Sequence, residues 1–371
     1  MKKLAIFSMH PAQYRDPVFK ELVKRKNLNV KIYSYYHIPG THLEWEEKEV
    51  EYLNIYLDKR VRIPVFGNFH TEIFKILKKE KFDVIMIMGY YPLTSLLLIL
   101  WCQIRQIPYI YSADTVNFEE KKNFNIVKKG LIKKAAAVWV TGNASGNYMR
   151  KNGIPKEKIV KGAYTLDIVK LVNDYRDSRK NMEKAKNAVS IKKKEKVILF
   201  VGKLIPDRNI SLLLNAFINI SQKHDDLKLI IIGDGPQSDV VEEFKRQNMQ
   251  NIIHIEGVPY DELHRYYEAA DCYVHPGTEP YSLAVAEAAI AGIPVIATKK
   301  VGAVYDYVKD GGNGYRIHGD SVEELAECLE KALYEVDWKD RNMEKFQKKF
   351  IEELAPHQVA ENLVKKIEEI I

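Results

Sequence analysis

Two glutamates eight residues apart, Glu279 and Glu287, flank the entry to an apolar helix in the run Gly277-Thr-Glu-Pro-Tyr-Ser-Leu-Ala-Val-Ala-Glu287. The strand before them ends at Val274, so Glu279 falls on a loop and the helix begins near Ser282. Carboxylates only accept hydrogen bonds, which suits both residues to the hydroxyls of a sugar or a ribose. The helix start adds unpaired backbone N–H groups and the positive end of its dipole, a setting for phosphate. The combination points to a diphosphate carrying a polyhydroxylated group. The plainer alternative makes Glu279 a loop charge and Glu287 a helix-surface residue.

A second strand, glycine turn and helix start runs Val201-Gly202-Lys203-Leu-Ile-Pro-Asp-Arg208-Asn209, with two cations five residues apart. They lie where a phosphate pair would sit, although a Lys and an Arg this close are common in a basic chain. A third loop, Ile232-Gly233-Asp-Gly235-Pro236, either lets backbone approach a ligand closely or is only a tight turn. In the first half, Gly89-Tyr90-Tyr91-Pro92 follows a strand, and its tyrosines either meet a sugar or belong to the core.

The elements that must hold these loops alternate along the whole chain. Strands are expected at Leu4–Met9, Val30–Tyr35, Val84–Met88, Tyr109–Ser112 and Ala137–Thr141, and again at Val197–Gly202, Leu229–Ile232, Ile252–Ile255, Cys272–Val274 and Val295–Ala297. Helical patterns separate them, and the strands are near-continuous apolar runs, as when both faces of a parallel sheet are covered. The expectation is an α/β chain of two doubly wound parallel sheets: an N-terminal domain over 1–167, a lysine-rich linker over 168–195, and a second domain over 196–345. An amphipathic helix over 346–371 must pack on another surface, for which the N-terminal domain is the candidate. Ligands of such sheets sit outside the carboxyl ends of the strands.

With 371 residues the chain exceeds one core, and 46% hydrophobic against 29% charged residues excludes fibrous and disordered classes. Three widely spaced cysteines, Cys102, Cys272 and Cys328, form neither a disulfide framework nor a metal site and suit a reducing cytosol. No signal peptide is expected at the amino terminus, and the apolar run Pro92–Cys102 is too short to span a bilayer. The net charge of +7 is uneven: residues 1–167 hold 28 basic against 16 acidic side chains, and the remainder 29 against 34. Six lysines between Lys121 and Lys134, interleaved with Phe124, Ile126, Val127, Leu131 and Ile132, match a helix lying on anionic lipid or a solvated face. No nucleic-acid-binding motif accompanies the charge.

Together these segments resemble the retaining GT-B glycosyltransferases of the large family numbered four in the carbohydrate-enzyme classification, the glycosyl transferases group 1. The resemblance covers Val197–Ala332 well and the first half loosely. It implies two facing Rossmann-like domains with a cleft between them, and transfer of a hexose from a nucleotide diphosphate sugar to an acceptor hydroxyl, in polysaccharide or glycolipid synthesis. Lys203 and Arg208 would meet the donor diphosphate, Glu279 the transferred sugar and Glu287 the ribose. Gly202, Gly233, Tyr281 and Ser282 would shape the donor site, and Leu283 and Ala284 would give N–H groups to phosphate. The family's glycine after the aromatic residue is replaced here by Ser282. His10, Gln13 and Tyr14 resemble the His-Pro-x-Gln-Tyr start of one branch. Asp114 stands where a family histidine is usual, so these residues and Tyr90 are the acceptor-side candidates. No metal or other cofactor is implied, and the chain has no Asp-x-Asp clasp. The implied partners are a nucleotide diphosphate sugar, a saccharide or lipid-linked acceptor and an anionic membrane surface, with the chain cytoplasmic or peripheral at the inner membrane face. A nucleotide-sugar-binding protein without transfer and an epimerase of the same architecture remain alternatives.

Overall fold

The structure, a computed structural model, describes residues 1–12, 14–37, 52–64, 67–114, 116, 126–178, 182–247, 251–338 and 343–371. They fall into two compact units, Met1–Leu166 with Leu354–Ile371, and Asp167–Glu353. The first holds strands β1 (Lys2–Ser8), β2 (Leu28–Ser34) and β3 (Asn54–Tyr56), an antiparallel hairpin of β4 (Arg60–Ile63) and β5 (Gly67–His70), then β6 (Val84–Met88), β7 (Tyr109–Ala113), β8 (Ala137–Val140) and β9 (Ile159–Lys161). Among the described residues, seven of these form a parallel sheet in the order β3-β2-β1-β6-β7-β8-β9.

The second unit holds β10 (Lys196–Val201), β11 (Leu227–Ile232), β12 (Ile252–Ile255), β13 (Cys272–His275), β14 (Val295–Thr298) and β15 (Gly314–Ile317), parallel in the order β12-β11-β10-β13-β14-β15. Helices cover both faces, which is why Val197–Phe200 and Cys272–His275 are buried throughout. The strand order reverses between β1 and β6 and between β10 and β13. Loops leaving the carboxyl ends of such strands are splayed to opposite sides and open a crevice for ligands. In the second unit those loops are the two that carry Lys203, Arg208 and Glu279.

The ten expected strands are present, and the edge strands β3, β9 and β15 and the hairpin add to them; at three or four residues each, they leave little periodicity to read. Residues 168–195, expected as a linker, instead form helices Ile168–Ser178 and Met182–Ala188 within the second unit. Ile168, Val172 and Tyr175 recur at helical spacing and are buried, which overrides the polar composition between them. The tail expected as one helix is two, Met343–Leu354 and Pro356–Ile370. Pro356 has no N–H to donate and drives Ala355 to φ −62°, ψ 146°, so the first helix ends there. Pro356–Ile370 packs Val359, Leu363 and Ile367 against Val18, Phe19 and Leu22 in a core of the first unit.

The lysine-rich helix also differs from expectation. Leu131 and Ile132, expected at a lipid interface, are buried in the first unit's core with Val138 and Met149. Lys121, Lys122 and Phe124 lie outside the described residues. Lys133 and Lys134 are exposed. No helix among the described residues is long and apolar enough to cross a membrane.

Candidate functional site

The loop after β10 is built to lie against its neighbours. A Cβ on Gly233 would sit 1.9 Å from the Gly202 carbonyl oxygen, so the loops after β10 and β11 touch through backbone only because position 233 is glycine. Leu204 is buried; its N–H donates to the Asp234 carbonyl at 2.9 Å and its own carbonyl accepts the Gln237 N–H at 2.9 Å. Beyond it a single 3-10 turn, Pro206–Arg208, is closed by Asn209 at φ +49° before the helix Ile210–Ser221 starts. This turn aims Arg208 at the loop after β13. Gly277 permits the meeting, since a Cβ there would stand 2.2 Å from the Asp207 carbonyl oxygen and 2.5 Å from Arg208 Cα.

Arg208 Nη1 donates to the Thr278 carbonyl at 2.7 Å, and Nη2 pairs with Glu279 Oε1 at 2.8 Å. The second carboxylate oxygen of Glu279 accepts from Nε2 of the buried His275 at 3.0 Å. Burial alone would raise the Glu279 pKa. The hydrogen bond and field of His275, the Arg208 guanidinium and a hydrogen bond with Ser282 outweigh it and hold the carboxyl below its ordinary value. Glu279 is therefore a fixed anion at neutral pH. Lys203, on the same loop as Arg208, is exposed and has no ion pair among the described residues. A hollow of about 210 Å³ beside these loops, walled by Asp207, Thr278, Thr298, Lys300 and His318, is smaller than a typical ligand pocket and does not hold a nucleotide sugar alone.

Tyr281 and Ser282 are buried, and Ser282 sits at φ +80°, ψ 104°, backbone that glycine adopts most easily. It caps the helix Leu283–Ile290 by accepting the Val285 N–H at 3.4 Å. Leu283 and Ala284 are only partly buried, and their N–H groups precede the first intrahelical acceptors. One turn in, Glu287 is not a helix-surface residue but 5% exposed. Its Oε1 accepts from Tyr260 and its Oε2 from Tyr267, each at 2.9 Å. Burial raises the Glu287 pKa, and the two phenol hydrogen bonds work against that rise.

The structure thus brings Lys203, Arg208, Glu279, Ser282, Leu283 and Ala284 to neighbouring loops at one switch point, and places Glu287 in the helix that follows. His275, Thr278, Tyr260 and Tyr267 were not among the candidates. His275 was signalled only by standing four residues before Glu279, and Tyr260 and Tyr267 by no local pattern. In the first unit, Arg15 is 9% exposed, donating from Nη1 to Ser8 Oγ at 3.1 Å and from Nη2 to the Tyr14 hydroxyl at 2.9 Å. The Tyr14 and Tyr164 rings lie 4.2 Å apart, and Tyr164 donates to Asp114 Oδ2 at 3.1 Å. Tyr14 and Asp114 are therefore linked, through Arg15 and Tyr164, which sequence reasoning missed. His10 turns Nδ1 onto the adjacent Pro11 carbonyl at 2.7 Å, Tyr90 is 48% exposed after β6, and Gln13 lies outside the described residues.

The family described as glycosyl transferases group 1 matches residues 181–352, the stretch that carries this site. An uncharacterized glycosyltransferase of Methanocaldococcus jannaschii is 30% identical over 156 residues, covering 41% of this chain and 39% of its own length. The lipopolysaccharide 1,2-N-acetylglucosaminetransferase of Salmonella typhimurium is 29% identical over 150 residues, 38% of this chain and 39% of that protein. The matched stretch thus spans about two fifths of these relatives' length. The solved structure of Anabaena HepE in complex with UDP and glucose aligns over 99% of both chains with a TM-score of 0.69 at 16% identity, a likeness of fold, and that fold is GT-B.

Proposed function

We propose, from the premise that the chain belongs to the glycosyl transferases group 1 family, that it moves a hexose from a nucleotide diphosphate sugar to an acceptor hydroxyl with retention of anomeric configuration. The observation that carries this reading is the Arg208–Glu279 pair, tied to the Thr278 carbonyl at the foot of the helix Leu283–Ile290. Glu279, kept ionised, accepts hydrogen bonds from hydroxyls of the transferred sugar. Arg208 and Lys203 oppose the charge that builds on the leaving diphosphate, where fixed cations act most strongly on the transition state. The Leu283 and Ala284 N–H groups and the helix dipole add to that field. Glu287 accepts a ribose hydroxyl. The Salmonella relative, named for lipopolysaccharide, supports an acceptor in cell-surface polysaccharide or glycolipid synthesis; on this proposal the acceptor is reached from the inner membrane face. The Tyr14, Tyr164 and Asp114 cluster of the first unit is the proposed acceptor side.

The test is calorimetric titration with UDP, GDP and ADP, then with hexose conjugates of whichever binds, followed by NMR of the product. A retained-configuration glycoside is the expected result. Binding without turnover, or an epimerised nucleotide sugar, would replace transfer with one of the alternatives. Absence of binding to all three diphosphates would overturn the reading.

A further inference from the structure

Glu287 carries two hydroxyl donors of different standing. Tyr267 is 1% exposed, wedged beside Tyr175 and Tyr273, and cannot leave Oε2 without opening the core. Tyr260 is 42% exposed on the loop between β12 and the helix His264–Ala269. Of its neighbours, Glu256, Gly257, Pro259 and Asp261 are also exposed, so its ring is not packed into the core. Yet its hydroxyl reaches Glu287 Oε1 at 2.9 Å, closing the one oxygen of this carboxylate that does not face the buried Tyr267. A sugar hydroxyl arriving at Oε1 offers the same kind of donor that the phenol already supplies.

We propose that Tyr260 is a displaceable cap on Glu287, holding Oε1 with a phenol O–H that the ribose of the bound nucleotide replaces. The proposal rests on the reading of Glu287 as a ribose contact. A buried carboxylate oxygen left without a donor is costly, so Oε1 of the empty site needs a stand-in. A rotation of the exposed side chain suffices to free Oε1, while Tyr267 stays and keeps the carboxylate oriented. The cap therefore lowers nucleotide affinity by the worth of one modest hydrogen bond to the carboxyl group, and spares the empty site an unpaired oxygen.

The experiment compares wild type with Y260F and Y267F, titrating each with the nucleoside diphosphate that wild type binds best and with its 2′,3′-dideoxy analogue. Y260F should bind the ribose form roughly three- to tenfold more tightly, the range of one modest hydrogen bond, and the dideoxy form no more tightly than wild type does. Y267F should melt at lower temperature with no such ribose-specific gain. Equal or weaker binding of the ribose form by Y260F, with the protein folded, overturns the cap. A wild type that binds no nucleoside diphosphate overturns the underlying functional reading instead, so the two failures are distinct.

Discussion

Replacing Arg208 separates a charge from a fork. The guanidinium serves two acceptors in different directions, Thr278 O at 2.7 Å and Glu279 Oε1 at 2.8 Å, with side-chain exposures of 14% for Arg208 and 26% for Glu279. Lysine keeps the charge but reaches only one of them well. A charge-assisted hydrogen bond from the guanidinium to the leaving diphosphate is worth roughly 1.5–3 kcal/mol, so its misplacement in Arg208→Lys should lower kcat/KM by about 10- to 100-fold. Arg208→Ala loses the charge and both protein contacts and leaves Glu279 to His275 and Ser282 alone, so a fall of about 100- to 10,000-fold is expected, from roughly twice that free energy. The loss should appear mainly in kcat if the cation opposes charge that develops on the leaving diphosphate. Initial rates over a donor titration, beside a thermal melt, decide it. Near wild-type kcat/KM in both variants, or an alanine loss accounted for by unfolding, would refute the reasoning.

Three further outcomes follow from the same site and its surroundings. Because Glu279 has its pKa lowered in the folded chain, the stability it contributes is present above the unfolded carboxyl value of about 4.3 and is lost as pH falls through the lower folded value; the melting difference between wild type and E279Q should therefore shrink from pH 6 toward pH 3, and a constant difference would contradict the assignment. Ser282→Gly should raise the melting temperature if relief of strained backbone worth about 1–3 kcal/mol exceeds the combined loss of a weak cap, the hydrogen bond to Glu279 and glycine's entropy cost of roughly 0.5–1 kcal/mol; a lower melting temperature would show that the Ser282 hydroxyl matters more than its φ. Changing Lys129, Lys133 and Lys134 to glutamine should weaken binding to anionic vesicles at low salt by about 100-fold, at about 1 kcal/mol per lysine; wild-type co-sedimentation that is absent, or unchanged in the variant, would remove the membrane from the account.

Legibility in the sequence followed how local each constraint is. The central strands of both sheets could be read because a doubly covered strand writes itself as four or more consecutive apolar residues, as in Val197–Phe200. The switch-point loops could be read as well, since Gly202, Lys203 and Arg208 on one and Gly277 and Glu279 on the other each stand within seven residues of a strand end. The helix over Ile168–Ser178 was hidden by composition: Ile168, Val172 and Tyr175 are buried, and Lys170, Asn173 and Asp174 stand between them, followed in the sequence by Arg176, Asp177 and Ser178.

Ser282 shows a different limit. The missing glycine was visible, but only the backbone reveals that the position demands φ near +80°, so the substitution there is strain as well as altered access. Glu287 marks the furthest limit. Spacing identifies it as a hydrogen-bond acceptor, and spacing along its own helix cannot say that its oxygens are already occupied. Its donors stand 27 and 20 residues away, one on the loop after β12 and one on the short helix that follows. They meet Glu287 only once those elements have folded back beside the helix Leu283–Ile290. A motif therefore locates an acceptor, whereas the state in which that acceptor waits for its ligand is set by tertiary neighbours, and Tyr260 is the neighbour that remains exposed enough to give way.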